Sequence, residues 1–600
     1  MFGYHGSYLR VDLEMGQASK VALGEELLRD YLGGSGLGVA ILLAEGAAEV
    51  EPLAAEAAIA FVFSPLVGSP LTTSAKFAVV SKSPLTGRIN DSLASSGFAI
   101  AGKQTGHDAL VLVGKASVPS ILVVDDGAMR LEPADDLWGL SNSEVQAKLR
   151  ERLGSNFQTA TIGPAGERLV RYATISHDGR HAGRGGSGAV LGSKNIKAVA
   201  VRGKQRCEWA DQAGLVEYAK QLSEKSFGPA TSKYRELGTA ANLLVFNRLN
   251  VLPTRNFQQG SFAGARAVSP EELSISRERT RKSCAACTIG CEHIYGIGEG
   301  SNGSEAGVRL EYENLFALGP LCEIDDPQVV LSASQRCDEL GLDTISAGGT
   351  IAFAMECAER RYLDVPWLRF GDGAALLRAL DKIAGGTGIG PLLAQGSRRV
   401  ALEIGQDTIS FAPQVKGLEI PGYDPRGLQT MALGFAVGTR GADHNRSGAY
   451  EVDFSEEVDR RDVGPEAATL AIETEDKAAL MDSLVLCKFL RGVFDDFFGD
   501  AAQMLRLVTG WETSPQELRE TAGRIVTAKK QFNILAGWTP DEDTLPDRML
   551  RQPLPEDARA QLSPERLATL VQAYNTARGW TAQGWISEIV NIECPTENVE

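Results

Sequence analysis

Residues 181–203 read HAGRGGSGAVLGSKNIKAVAVRG, and the meaning of this stretch decides the kind of fold. It contains Gly183-x-Gly185-x-x-Gly188, the spacing of a dinucleotide-binding loop. That reading needs a strand before, a helix after and an acid about 20 residues further on. Here KAVAVRG, residues 197–203, reads as a strand, and no acid follows at the right place. A phosphate-binding P-loop fails as well, because Ser193 separates Gly192 from Lys194. Two readings remain. The stretch is a tight turn, or its bare amides, with Arg184, Lys194 and Lys197 beside them, hold a phosphate-bearing ligand.

Working outward, the texture differs on the two sides. Before this stretch lie short β-branched runs: YLRVDL, AAIAFVFSPLVG, KFAVVSKS, ALVLVGKA, SILVVDD and RYATIS, separated by turn clusters such as SPLTG and DDG. From about 210 onward apolar residues recur at helical intervals in DQAGLVEYAKQLSEKS, DPQVVLSASQRCDELG, DKAALMDSLVLCKFLRGVF and SPQELRETAGRIVTAKKQFN. Several of these open on Asp or Ser, as capped helices do. The pattern predicts a multidomain α+β chain. The expected units are 1–207, β-rich, and 208–415 and 416–600, both mostly helical. The second boundary sits at the loop VKGLEIPGYDPRG.

The chain has 600 residues, too many for one core, and a net charge of −17. That charge opposes a nucleic-acid role, which needs a basic footprint. No run of about 18 apolar residues predicts a membrane span. The start, MFGYHGSYLRVDLEMGQ, lacks the charged and apolar regions of a signal peptide. A reducing cytoplasm is the expected setting, where clustered cysteines point to a metal rather than disulfides.

Such a cluster exists. RKSCAACTIGCEH, residues 281–293, holds Cys284, Cys287 and Cys291 among only nine cysteines. Thiolates ligate iron–sulfur clusters and structural zinc, and either site normally needs a fourth ligand. His293 follows Cys291 too closely for ordinary zinc spacing. The fourth ligand would otherwise be Cys207, Cys322, Cys337, Cys357, Cys487 or Cys594. Iron–sulfur, zinc and plain packing all remain open from these residues.

Longer motifs then carry a resemblance: GSYLRVDLEMGQ, FAVVSKSPLTG, GRGGSGAVLGSKNIKA, EYEN, DELGLDTISAGGTIAFAME, VKGLEIPGYDPRG, ALGFAVGTRGADH, DEDTLPDRML and RGW, in this order along nearly the whole chain. The sequence resembles the aldehyde:ferredoxin oxidoreductase family, the tungsten- or molybdenum-containing bis-pyranopterin enzymes. The resemblance implies an N-terminal β-sheet domain that seats the pterins and two helical domains that cover it. It implies a tungsten or molybdenum centre gripped by two pyranopterins, a magnesium ion bridging their phosphates, and a nearby 4Fe–4S cluster.

Residue by residue, it assigns the cluster to Cys284, Cys287, Cys291 and Cys487. Pterin contacts fall to Asp338, Leu342 and Asp343 in DELGLD, and to Asp482 in DSLVLC, where Val485 stands in place of the usual glycine. A carboxylate is acceptor-only and suits the N–H groups of a pterin edge. Arg184 and Gly185 match the phosphate side, and Arg446 is expected at a pterin or substrate anion. Lys76 stands where the family has arginine, keeping the charge but losing the fork. Leu93 stands near the family's magnesium asparagine, so a backbone carbonyl or Asn90 would substitute.

The implied reaction oxidises a small aldehyde to its acid, with Glu313 and His444 handling protons. Taken alone, without the resemblance, those two residues read first as a solvated helix carboxylate and a structural loop histidine. Electrons would leave to ferredoxin or an iron–sulfur subunit. Two other readings stand beside this one: an aromatic ring reductase of the benzoyl-CoA type, for which Cys322 would be a tungsten ligand, and a zinc-stabilised binding protein. A homodimer or a place in a larger complex is expected. The chain lacks the Glu-x-x-His motif that would bridge an iron between subunits.

Overall fold

The computed structural model describes residues 1–297, 307–587 and 592. Two six-stranded sheets form its N-terminal part. The first holds β1 (Ser7–Asp12), β2 (Gln17–Ala22), β3 (Ile59–Val62), β4 (Lys76–Lys82), β5 (Ile89–Ser95) and β6 (Ala109–Val113), ordered β2-β1-β6-β3-β4-β5. The second holds β7 (Ser120–Asp125), β8 (Ala128–Pro133), β9 (Gln158–Thr161), β10 (Ile175–His177), β11 (Arg180–Ala182) and β12 (Ile196–Arg202), ordered β11-β10-β9-β12-β7-β8. β1 with β6 and β7 with β12 pair in parallel, and the other neighbours are antiparallel.

Strand alternation divides the apolar residues between faces. Phe61, Phe77, Val79, Leu110 and Leu112 point from the first sheet into a core shared with Leu122, Val124, Val199 and Val201 of the second. Phe98 fills its centre, 4.9 Å from Phe77 and 5.7 Å from Phe61 between ring centroids. The alternate residues Ala60, Val62, Ala78, Val80 and Val111 face the opposite way, into the core of the helical part. The outer face of the second sheet is covered by the helix Asn142–Leu153 through Val145 and Leu149.

One buried helix, Gly34–Ala44, joins the sheets to the helical part. It lies on β3 and β4 and touches the helices Ala467–Ser483 and Pro515–Leu535. Its glycines permit that approach. A β-carbon on Gly38 would overlap Val80, and one on Gly34 would overlap the Asp482 carbonyl oxygen. The Gly36 N–H donates to Ser483 Oγ at 3.1 Å. This helix reads from sequence as part of the β-rich region, because its uniformly apolar residues show no amphipathic period.

Two further expectations are corrected. A seven-residue helix, Ser187–Ser193, intervenes between the glycine loop and β12, so the strand does not follow the loop directly. The helix read through DKAALMDSLVLCKFLRGVF stops at Ser483. Val485 is left-handed, with φ +54°, and the chain then makes a short turn at Lys488–Leu490. Caps on Asp211, Asp326 and Ser514 are present as the sequence indicates. One apolar core runs through both halves of the helical part, and residues 414–419 form a small hairpin in which Gln414–Val415 pairs with Leu418–Glu419. Among the described residues no helix is long and apolar enough to cross a membrane.

Candidate active site

A cavity of about 300 Å³ opens between the first sheet and the helical part. Its wall brings together most residues singled out from sequence: Lys76, Arg184, Glu313, Asp338, Leu342, Asp343, His444, Arg446 and Asp482. These residues lie on separate elements. Lys76 opens β4, and Ser92 and Leu93 come from β5. Glu313 sits in the first turn of the helix Tyr312–Leu318, and Asp343 caps the helix Thr344–Glu359. His444 and Arg446 lie in the one-turn helix His444–Ser447, capped by Asp443, which accepts from the N–H groups of Asn445 at 2.9 Å and Arg446 at 3.2 Å.

Glu313 and His444 face each other, with Oε1 and Nδ1 3.6 Å apart. Neither atom has a hydrogen-bond partner among the described residues. The other Glu313 oxygen accepts from the Gly422 N–H at 3.1 Å. Burial raises the Glu313 carboxyl to about 8, against the lowering effect of that N–H and of Arg184. Burial lowers the His444 imidazole to about 3, with Asp443 opposing and Arg184 adding to the fall. At neutral pH the pair is therefore a protonated carboxyl beside a neutral imidazole, a donor next to an acceptor. His444 stacks on Tyr423 at 4.9 Å, which fixes the ring plane.

The wall as a whole mixes six Lys and Arg side chains with six acidic ones, Glu313 included. Arg446 is the hub, at 3.0 Å from both Asp91 and Asp482. Burial alone would raise Asp91, but Arg446, Lys529 and Arg440 outweigh it and hold the carboxyl well below the usual range. Lys488 reaches Asp482 at 2.9 Å, and burial pushes the Lys488 ammonium down to about 8. Arg184 donates to the backbone carbonyls of Ala442, at 2.6 Å, and Glu419, and lies 3.6 Å from Asp343. Asp338 is a third exposed and meets His181 at 3.2 Å.

Unpartnered buried atoms show what the wall is shaped to hold. Arg184 Nε and Arg440 Nε join Glu313 Oε1 and His444 Nδ1 in having no hydrogen-bond partner among the described residues. Such atoms cost roughly 1–3 kcal/mol each unless a ligand satisfies them. Donors and acceptors left open in one cavity fit a ligand that carries both anionic groups and a polar ring edge. Gly185, at φ +84°, leaves no room for a β-carbon, which would overlap Asn90 Oδ1. That oxygen is also unpartnered, while Asn90 Nδ2 donates to Ser187 at 2.9 Å. Leu93 lines the cavity but offers no side-chain ligand.

The cysteines gather beside this cavity. Cys487 is flanked by Leu486 and Lys488, which line it. Cys284 and Cys287 hydrogen-bond each other, which lowers the first thiol and raises the second. Cys291 is raised by burial, with Cys487 and Cys284 adding to it, so all four sulfurs lie within electrostatic reach. The Ile289 N–H points at Cys287 Sγ, 3.4 Å away. The loop is tied to the first sheet by the Thr73 N–H, which donates to the Ala286 carbonyl at 2.6 Å, and Thr73 Oγ1 accepts from the Cys487 N–H at 3.3 Å. Among the described residues no group of three or more His, Cys, Asp or Glu converges tightly enough for a single metal ion.

Two candidate ligands fall away. His293 is buried with its Nε2 3.2 Å from the Tyr234 carbonyl. Cys322, which only the ring-reductase reading would put on the metal, is sealed in the core, where its thiol points at the carbonyls of Ala317, 3.5 Å away, and Gly348, 3.8 Å away. It does not line the cavity, and burial lifts its thiol to about 12. Cys594 lies outside the described residues. Conversely, Asp91, His181, Arg309, Arg440 and Asp443 belong to this constellation and were not singled out. Each stands within or beside a motif already quoted, so adjacency was the available signal.

Comparison with known proteins identifies the family. The family model for the aldehyde ferredoxin oxidoreductase N-terminal domain matches residues 8–203, and that for domains 2 and 3 matches residues 215–590. The tungsten-containing aldehyde ferredoxin oxidoreductases of Thermococcus kodakarensis and Pyrococcus furiosus are each 36% identical, over 98% of this chain and 98% of theirs. The WOR-like subunit of the aliphatic sulfonate oxidoreductase of Pyrococcus furiosus is 28% identical over 97% of this chain and 96% of its own. In structure, the active site complex BamBC of benzoyl coenzyme A reductase superposes with a TM-score of 0.80 at 22% identity, over 97% of this chain and 96% of that one, a likeness of fold. The chain belongs to the aldehyde ferredoxin oxidoreductase family, and it is an oxidoreductase.

Proposed function

We propose that this chain oxidises an aldehyde to the carboxylic acid at a tungsten, or molybdenum, bis-pyranopterin centre, and passes the electrons through a 4Fe–4S cluster to ferredoxin or a partner iron–sulfur subunit. The observation that carries the reading is the juxtaposition of the Glu313–His444 pair with four grouped thiols across one cavity lined by unpartnered polar atoms.

The wall fits such a cofactor. Asp338, Asp343 and Asp482 are acceptors for ring N–H groups, and Arg184, Arg446 and Lys76 supply charge for phosphates. Leu342 would offer an apolar contact, and Gly185, lacking a β-carbon, leaves room for Asn90, whose unpartnered Oδ1 would be a candidate oxygen ligand for magnesium. Cys284, Cys287, Cys291 and Cys487 would hold the cluster. When bound, the metal centre supplies a two-electron acceptor, which the side chains lack.

The residues then manage protons and water. Conversion of an aldehyde and one water to the acid releases two electrons and two protons. His444, neutral at Nδ1, accepts a proton from the attacking water, and Glu313, protonated at Oε1, steadies the carbonyl oxygen by donating to it. Cys487 lies in the same segment as Asp482, so one short stretch borders both centres. No observation favours the ring-reductase reading, since the thiol it would use, Cys322, is enclosed in the core.

An anaerobic metal inventory tests the proposal, combined with aldehyde-dependent reduction of a viologen dye. Tungsten or molybdenum together with iron, and turnover of simple aldehydes, are expected. Zinc alone, or turnover of an aromatic CoA thioester without aldehydes, would overturn it.

A further inference from the structure

The cysteine loop is preceded by a basic edge. Residues 277–282 read RERTRK, four cations to one carboxylate in a chain of net charge −17. Residues 279–282 form β13 (Arg279–Lys282), the outer strand of a three-stranded sheet with β14 (Glu292–Gly296) and β15 (Gly307–Arg309). Arg279, Arg281 and Lys282 are exposed. None of them has a carboxylate partner at ion-pair distance among the described residues. Arg281 reaches back over the loop itself, its Nε 3.6 Å from the place of a β-carbon on Gly290.

Apolar side chains border this edge. Phe227 is 56% exposed and Ile275 is 83% exposed. Both connect to the strand. Arg279 donates to Ser274 Oγ at 3.1 Å and to the Glu236 carbonyl at 2.7 Å, and Arg235 lies over the Phe227 ring at 4.5 Å. Ser226, beside Phe227, bonds Thr288 of the cysteine loop at 2.5 Å. An exposed aromatic ring and cations without a carboxylate partner among the described residues therefore flank the loop that carries Cys284 and Cys287.

We infer that β13 with Phe227 and Ile275 is the docking surface for an acidic one-electron carrier protein. A carrier that must come and go needs a small, charge-steered interface rather than a broad apolar one. Charge complementarity also selects the partner. The chain as a whole, at net charge −17, repels acidic proteins, and this edge, with four cations to one carboxylate beside the cysteine loop, offers them opposite charge. The inference rests on the reading of those thiols as the exit cluster.

The test uses the loaded enzyme and a purified acidic ferredoxin, with binding measured by calorimetry at low salt and at about 0.3 M NaCl, where screening shortens the reach of exposed charges. Wild-type binding should weaken as salt rises. The Arg279→Glu/Arg281→Glu variant should lose about tenfold or more in affinity at low salt, while its viologen-linked rate stays that of wild type. Phe227→Ala should also weaken binding, and it serves as the test if the double variant fails to fold. Ferredoxin binding that is absent, indifferent to salt, or unchanged in both variants would overturn the inference. Loss of aldehyde turnover in the wild type would strike the proposed function instead, because calorimetry reads docking independently of it.

Discussion

Replacing Glu313 by Gln tests the electrostatics of the site directly. The carboxyl rests at about 8 in the folded chain, against 4.5 for an ordinary glutamate. At 1.36 kcal/mol per pH unit, that gap is worth about 5 kcal/mol. Its sign follows from linkage. Below pH 4.5 the group is neutral in folded and unfolded chains alike and costs nothing. Between 4.5 and about 8 only the unfolded chain gives up the proton, so folding stability falls as pH rises, and above about 8 the full cost is reached. Gln keeps the shape and cannot ionise. The variant should therefore gain on wild type by roughly 2 kcal/mol at pH 6 and roughly 5 kcal/mol at pH 9. Thermal unfolding of both proteins without added cofactor, followed from pH 5 to pH 9, reads this as melting curves that diverge with pH. The same variant should lose about 10²–10⁴ in kcat, the usual range for one proton-transfer group. Melting curves that stay parallel across that pH range would refute the reasoning, because the carboxyl would then titrate as it does in water.

Other predictions follow from the same geometry. Cys487→Ala should abolish the low-temperature EPR signal of the cluster, and an unchanged signal would mean that the fourth ligand lies elsewhere. Gly185→Ala should lower tungsten or molybdenum content. Its β-carbon displaces Asn90, and the left-handed backbone costs roughly 1–2 kcal/mol more; metal analysis reads the loss, and full occupancy would count against a close approach there. Cys322→Ala should leave metal content and aldehyde turnover unchanged and cost only packing stability, since its thiol is enclosed away from the cavity. Loss of the metal in that variant would reopen a ligand role.

Much of the site was legible because its residues sit in compact motifs. The spacing of Cys284, Cys287 and Cys291 marks them as candidate ligands whatever the fold, although packing stays open from these residues alone. Asp343 follows a helix-ending glycine and caps the next helix, a local event that sequence encodes well. Arg440, Asp443 and His444 are near neighbours, and reading only the last of them missed the ion pair between the first two, 3.0 Å apart. Asp91 was overlooked for a different reason. An acid in a β-strand reads as an exposed residue, and only the approach of Arg446 and Lys529 makes it a buried anion.

The sequence by itself determined the alternation that gives the central strands two apolar faces, the helical periods after 210, and the motifs that hold the candidate site residues. Tertiary structure decided which strand face meets the other sheet and which meets the helices, because both faces are apolar and periodicity cannot rank them. It also decided where the helix Ala467–Ser483 ends. The apolar period continues past Ser483, but packing against Gly34 and Gly36 turns the chain there and drives a buried valine, Val485, into the left-handed region. That turn carries Cys487 to the three cysteines of the loop. Local propensity acts over a few residues, whereas the encounter of Glu313 with His444, and of Cys487 with Cys287 and Cys291, depends on a core assembled from the whole chain.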